Sequence, residues 1–146
     1  MKKIKLDPFI LKKLSIFSSV SKIVPKDCFE SNGTLVFMVN KGDIGRAVGK
    51  KAGNIPILAK KLNVEKIRVI EFDDELIQFI KNVIHPNKVN EIVKNDEIII
   101  LKTDSYKVRG YLIGKDVSSL RLSEEIIKRY FDIKELKVQQ IEVKNE

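Results

Sequence analysis

Apolar residues recur at helical spacing over residues 7–17, where Phe9, Ile10, Leu11, Leu14 and Phe17 follow an early Pro8 and predict a first helix. The stretch 22–30, the turn Ser31-Asn32-Gly33 and the β-rich segment 34–39 then predict a hairpin, because an Asn-Gly pair tolerates the positive φ of a tight turn. Helical patterns over 42–48 and 54–62 flank Gly49-Lys50-Lys51-Ala52-Gly53. Pro56 falls in the first turn of the second helix, and 67–72 closes the run as a strand. The same order returns downstream: a helix over 73–84, strands over 88–93 and 97–103 about an Asn95-Asp96 turn, helices over 104–112 and 118–130, and a strand over 135–141.

The recurrence extends to individual residues. Gly45-Arg46-Ala47-Val48-Gly49-Lys50 and, 65 residues on, Gly110-Tyr111-Leu112-Ile113-Gly114-Lys115 both read Gly, any residue, apolar, apolar, Gly, Lys. Asn63-Val64-Glu65-Lys66-Ile67-Arg68-Val69 is echoed by Asp132-Ile133-Lys134-Glu135-Leu136-Lys137-Val138, offset by 69. Two matches in one order define a duplicated unit with its copies at 1–72 and 73–146, and place a helix about four residues longer in the second copy. Each copy mixes helices with a small sheet, so the expected fold class is α+β.

Composition narrows what such a chain can do. It has 146 residues, 43% hydrophobic and 33% charged, enough for one ordinary core or two small ones and too few for a large multidomain enzyme. The net charge is +8 and unevenly placed: residues 1–72 carry 15 Lys plus Arg against 6 Asp plus Glu, whereas residues 73–146 carry 13 against 14. A basic first half favours a polyanionic partner, nucleic acid before an anionic membrane surface. One cysteine, Cys28, excludes an intrachain disulfide and a cysteine-built zinc site and suits a reducing cytoplasm. The basic opening is broken by Lys12 before any signal-peptide core, and no apolar run approaches the roughly 20 residues of a membrane span. The expected location is therefore cytoplasmic.

The candidate chemistry lies in the two Gly-Lys loops. Helix, Gly-Lys turn and helix place backbone N–H groups and a lysine where a phosphate can approach without meeting a Cβ. The element order resembles that of the prokaryotic-type KH domain, and Val48-Gly49-Lys50-Lys51-Ala52-Gly53-Asn54-Ile55 resembles its apolar-Gly-x-x-Gly-x-x-Ile signature. Ile113-Gly114-Lys115-Asp116-Val117-Ser118-Ser119-Leu120 is similar. Two such domains covering nearly the whole chain look like the archaeal NusA-like transcription factors. The resemblance implies a loop that clamps the RNA backbone beside a groove for about four single-stranded nucleotides. Carried to this chain, it assigns RNA contact to Gly49, Lys50, Lys51, Ala52 and Asn54, with Gly114 and Lys115 in the second copy.

The second glycine of the signature is replaced by Ala52 in one copy and Val117 in the other, and Asp116 stands where the first copy has Lys51. Ala52 is a mild change if φ is negative there; Val117 adds bulk where a phosphate would come closest. Ile55, Leu58 and Leu120 either line the grooves or belong to the cores. Arg46 and Lys60 are either phosphate partners or part of a solvated basic face.

Catalytic readings fail on their residues. Gly45-x-x-x-Gly49-Lys50 has three residues where the phosphate loop of nucleotide hydrolases needs four, and Lys51 stands where that loop needs Ser or Thr. His85, the only histidine, precedes Pro86 and suits a surface or capping role. The acidic pairs Asp73-Asp74 and Glu124-Glu125 read as helix-start charge and a solvated face, since adjacent helical residues do not face one another. Phe37, Phe72 and Phe79 read as core. The expectation is a protein that is not an enzyme, with neither cofactor nor metal, whose partners are single-stranded RNA and RNA polymerase or other transcription machinery. The rival expectation is a protein-interaction adaptor or ribosome-assembly factor with degenerate loops.

Overall fold

A computed structural model describes residues 8–143. The chain divides into two compact units, one running through Asp74 and the other from Glu75. The first contains α1 (Pro8–Ser21), β1 (Asp27–Ser31), β2 (Thr34–Val39), α2 (Ile44–Val48), a single 3₁₀ turn (Lys50–Ala52), α3 (Asn54–Leu62) and β3 (Lys66–Glu71). The second repeats the order: α4 (Leu76–Ile84), β4 (Glu91–Asn95), β5 (Ile98–Thr103), α5 (Tyr106–Ile113), a 3₁₀ turn (Lys115–Val117), α6 (Ser118–Lys128) and β6 (Glu135–Gln140).

Each unit has a three-stranded sheet with its second strand in the middle, antiparallel to the first and parallel to the third. Cys28 faces Phe37 and Phe37 faces Val69 in one sheet; Val93 faces Ile100 and Ile99 faces Leu136 in the other. The first core gathers Phe17, Cys28, Leu35, Phe37, Ala47 and Leu58, with the Phe17 and Phe37 rings stacked at 4.4 Å. The second holds fully buried Phe79, Ile99, Leu101, Ile126 and Ile127. There the Phe79 ring meets Tyr130 edge-on at 5.5 Å and Phe131 at 5.4 Å. Each such side chain contributes roughly 1.5–3 kcal/mol on burial, so these clusters hold each sheet to its helices. Phe72 is only half buried, with the Lys26 ammonium 4.6 Å above its ring.

Boundaries depart from the periodicity where a side chain or a backbone angle decides. The expected start of the first helix at Asp7 lies outside the described residues. Its end moves from Phe17 to Ser21, whose hydroxyl donates to the Phe17 carbonyl and accepts from the Ile23 N–H. Helix α2 begins at Ile44 rather than Gly42, because Gly42 sits at φ +91 and donates its N–H to the Glu71 carboxylate at 2.7 Å. Helix α4 begins at Leu76 rather than Asp73, because the Glu75 carboxylate caps it by accepting from the Ile77 and Gln78 N–H groups. The hairpin turn in the second unit is Asp96-Glu97, one residue later than expected, with Asp96 at φ +56. The longer second copy is explained only partly by its helix: α6 has 11 residues against 9 in α3, and the rest lie in the connection to β6.

Two acidic residues expected at the surface are buried. Asp73 meets the Lys41 ammonium at 3.4 Å. Glu124 accepts from the Leu136 N–H at 2.9 Å and stands 3.5 Å from both Arg121 and Lys128. That N–H faces away from β5 on an edge strand, so the carboxylate supplies an acceptor the sheet does not.

Candidate nucleic-acid interface

The two loops have one backbone shape. Gly49 ends α2 at φ +76, ψ 175, and Gly114 ends α5 at φ +72, ψ 176. Two residues on, Lys51 (φ +53) and Asp116 (φ +54) are left-handed, as are Ala52 (φ +56) and Val117 (φ +63) after them. The condition under which Ala52 would be a mild change, a negative φ, is not met: the position takes the conformation that favours glycine, and Ala52 carries a strain that a glycine would not. Val117, β-branched and 38% exposed, carries more.

The first glycine of each loop is required twice over. Besides its positive φ, a Cβ on Gly49 would lie 2.9 Å from the Asn54 amide nitrogen, and one on Gly114 would lie 2.5 Å from the Ser119 hydroxyl. Asn54, assigned to RNA by the resemblance, turns this amide inward to the carbonyls of Ala47 at 3.0 Å and Arg46 at 3.4 Å. It braces the loop from beneath.

Lys50, Lys51 and Ala52 are exposed on the outer side of that brace, with Lys115 and Asp116 at the matching places in the second unit. The structure brings Lys50, Lys51, Ala52 and Gly49 together with the start of α3. Arg46 lies on the preceding turn, its guanidinium bonded to Asp43 at 2.7 Å while 72% exposed. Lys60 is exposed near the end of α3, and Leu58 belongs wholly to the core rather than to a groove. Ile55 and Leu120 are half buried.

Helices α3 and α6, which follow the loops, begin without a side-chain cap, whereas Glu75 and Ser105 cap α4 and α5. First-turn N–H groups have no intrahelical acceptor and carry the positive end of the helix dipole. Gly45 and Gly110 recur one turn before the loops, and a Cβ at either would meet nothing within 4 Å. The exposed loop residues, the bare glycine surface before them and the lysines together form a surface that an anionic strand can approach closely.

His85 lies exposed at the end of α4, its N–H bonded to the Lys81 carbonyl. Among the described residues no group of three or more His, Cys, Asp or Glu could hold a metal ion, and no helix is long and apolar enough to cross a membrane.

Two α+β units, each a three-stranded sheet with a glycine loop between its second and third helices, make the chain a tandem of KH-like units. The solved structure of APE1850 has this fold, with a TM-score of 0.74 at 22% identity, covering 92% of this chain and 100% of that one. By sequence the chain is NusA-like over nearly all its length. It is 28% identical over 142 residues to the probable transcription termination protein NusA of Methanocaldococcus jannaschii, covering 94% of this chain and 76% of that protein. It is 27% identical over 143 residues to the probable transcription termination protein NusA of Thermoplasma acidophilum, covering 96% and 99%. A transcription termination/antitermination protein NusA of Rickettsia prowazekii is 26% identical over 141 residues, a stretch that is only 24% of its own length. No protein-family model matches the chain.

Proposed function

We propose that this protein is a NusA-like transcription termination and elongation factor, without enzymatic activity, that holds single-stranded RNA on its two glycine loops. One observation carries the reading: both loops hold the same left-handed backbone although they share only their leading Gly-Lys pair. A shape that costs conformational strain in both copies is kept for what it presents outward, which is exposed backbone beside lysine. The relatives' names supply transcription as the setting, and the basic first half supports the first loop as the stronger phosphate contact. In this proposal Gly49, Lys50, Lys51 and Ala52 touch the RNA backbone, Arg46 adds charge beside them, and Asn54 holds the loop. Gly114 and Lys115 make a weaker second contact, opposed by Asp116.

The test is a titration of fluorescent single-stranded RNA, with a DNA control, against the wild type and the Lys50→Ala/Lys51→Ala variant at several salt concentrations. The wild type should bind RNA with log K falling by roughly 0.7 per phosphate neutralised as log salt rises, and the variant should bind less with a shallower slope. Equal binding by both proteins would sink the assignment of the first loop. Asp116 and Val117 favour a second reading, an adaptor that docks on protein partners through degenerate loops. An adaptor would keep its partner in a pull-down after nuclease treatment; an RNA-tethered factor would lose it.

A further inference from the structure

Helix α5 presents two tyrosines to solvent, Tyr106 at 75% and Tyr111 at 57% exposure. Between them Gly110 leaves the helix surface bare, with nothing within 4 Å of where its Cβ would be. Residues 106 and 110 lie one turn apart in one row, which runs on to Gly114, and residues 107 and 111 form the adjoining row, so the two tyrosines flank Gly110 about 140° apart around the helix. The Lys107 ammonium stands 6.0 Å from the centre of the Tyr111 ring. A glycine inside a helix is disfavoured against alanine, and no side chain beyond its two chain neighbours comes within 4 Å of the space it leaves, so packing against the rest of the unit does not account for it. At the place of Tyr111 the first unit has Arg46, a cation held by Asp43. The two units thus offer different chemistry beside the same bare glycine.

We propose that this surface of α5 is a stacking site for unpaired nucleobases of single-stranded RNA, with a base lying over Gly110 against the Tyr106 or Tyr111 ring. Exposed phenol rings provide flat apolar area, and stacking tolerates any base sequence. The cations Lys107 and Arg109, with no acidic residue inside the helix, favour a nucleic-acid strand as the occupant. Stacking also gives the second unit a hold on RNA that Asp116 does not oppose. The inference rests on the RNA-binding reading above.

The experiment compares a labelled single-stranded oligoribonucleotide with the same strand carrying abasic sites. Both are titrated against the wild type, Tyr106→Ala, Tyr111→Ala, Tyr111→Phe and Gly110→Ala, with folding checked by circular dichroism. Each tyrosine-to-alanine change should weaken binding of the base-bearing strand roughly ten-fold, leave its salt slope unchanged and barely alter binding of the abasic strand. Tyr111→Phe should retain affinity, and Gly110→Ala should raise the melting temperature while weakening binding. Wild-type binding that Tyr106→Ala and Tyr111→Ala leave intact, or weaken equally on abasic RNA, would overturn the stacking site and leave the loop clamp standing. Failure of the wild type to bind either strand would overturn both.

Discussion

The amide of Asn54 donates to the carbonyl of Ala47 at 3.0 Å, joining the start of α3 to the end of α2 underneath the loop. Because that amide fills the space beside Gly49, the loop shape is set from below by a side chain as well as by its own backbone. Ser119 fills the corresponding space beneath Gly114. The brace turns a flexible glycine segment into a fixed surface, and a fixed surface loses less entropy on binding.

Gly49→Ala should therefore cost more than the usual exposed substitution. It forces an L side chain to φ +76 and drives a Cβ to 2.9 Å from the Asn54 amide, so a loss of about 2 kcal/mol is expected. Asn54→Ala removes the brace without the clash and should cost about 1 kcal/mol. Urea denaturation of both variants measures the difference; equal losses would mean that the brace, not the backbone angle, is what the glycine serves.

At Val117 the direction reverses. A β-branched residue at φ +63 is strained, and glycine relieves that strain while adding freedom to the unfolded chain. The strain is the larger of the two, so Val117→Gly should stabilise the second unit by about 1 kcal/mol. Ala52→Gly should be nearer neutral. Midpoints shifted upward at unchanged denaturant slope would confirm the sign, and a lower midpoint for Val117→Gly would show that the valine side chain packs usefully where it stands.

How much of this was legible beforehand depends on what kind of cause acts. The element order and the position of both loops followed from periodicity and from the Gly-x-apolar-apolar-Gly-Lys repeat, because both are local properties of the chain. The left-handed angle at Ala52 was not legible, since alanine gives no signal of positive φ and the aligned Val117 argues against it; only the glycine of the KH signature at that place hinted at it. The burial of Glu124 was hidden for another reason. Its partner, the Leu136 N–H, lies 12 residues away on an edge strand, and nothing in the acidic pair Glu124-Glu125 marks which member turns inward. The inward turn of Asn54 was equally invisible, because an asparagine beside a glycine loop fits a ligand contact and a brace alike.

Glu124 gives a stability prediction of its own. Glu124→Ala leaves a buried edge-strand N–H without its acceptor and should cost about 2 kcal/mol. Glu124→Gln keeps a carbonyl oxygen in reach and loses only the contacts to Arg121 and Lys128, which are 57% and 41% exposed and contribute little, so its cost should stay below about 1 kcal/mol. Amide hydrogen exchange at Leu136 reads the same interaction directly: protection should fall in the alanine variant and largely survive in the glutamine one.

The last prediction concerns the difference between the loops. Since Lys51 and Asp116 share φ and ψ to within a few degrees, their side chains leave equivalent points of equivalent backbones and differ in reach and in the sign of their charge. On the proposed function, Asp116→Lys should make the second loop resemble the first, raising RNA affinity and steepening the salt dependence by up to roughly 0.7 in log–log slope for one more neutralised phosphate. Lys51→Asp should do the opposite in the first loop. The pair should leave thermal stability nearly unchanged, because both positions are exposed. Affinity that ignores both exchanges would mean that the shared loop shape serves something other than a phosphate backbone.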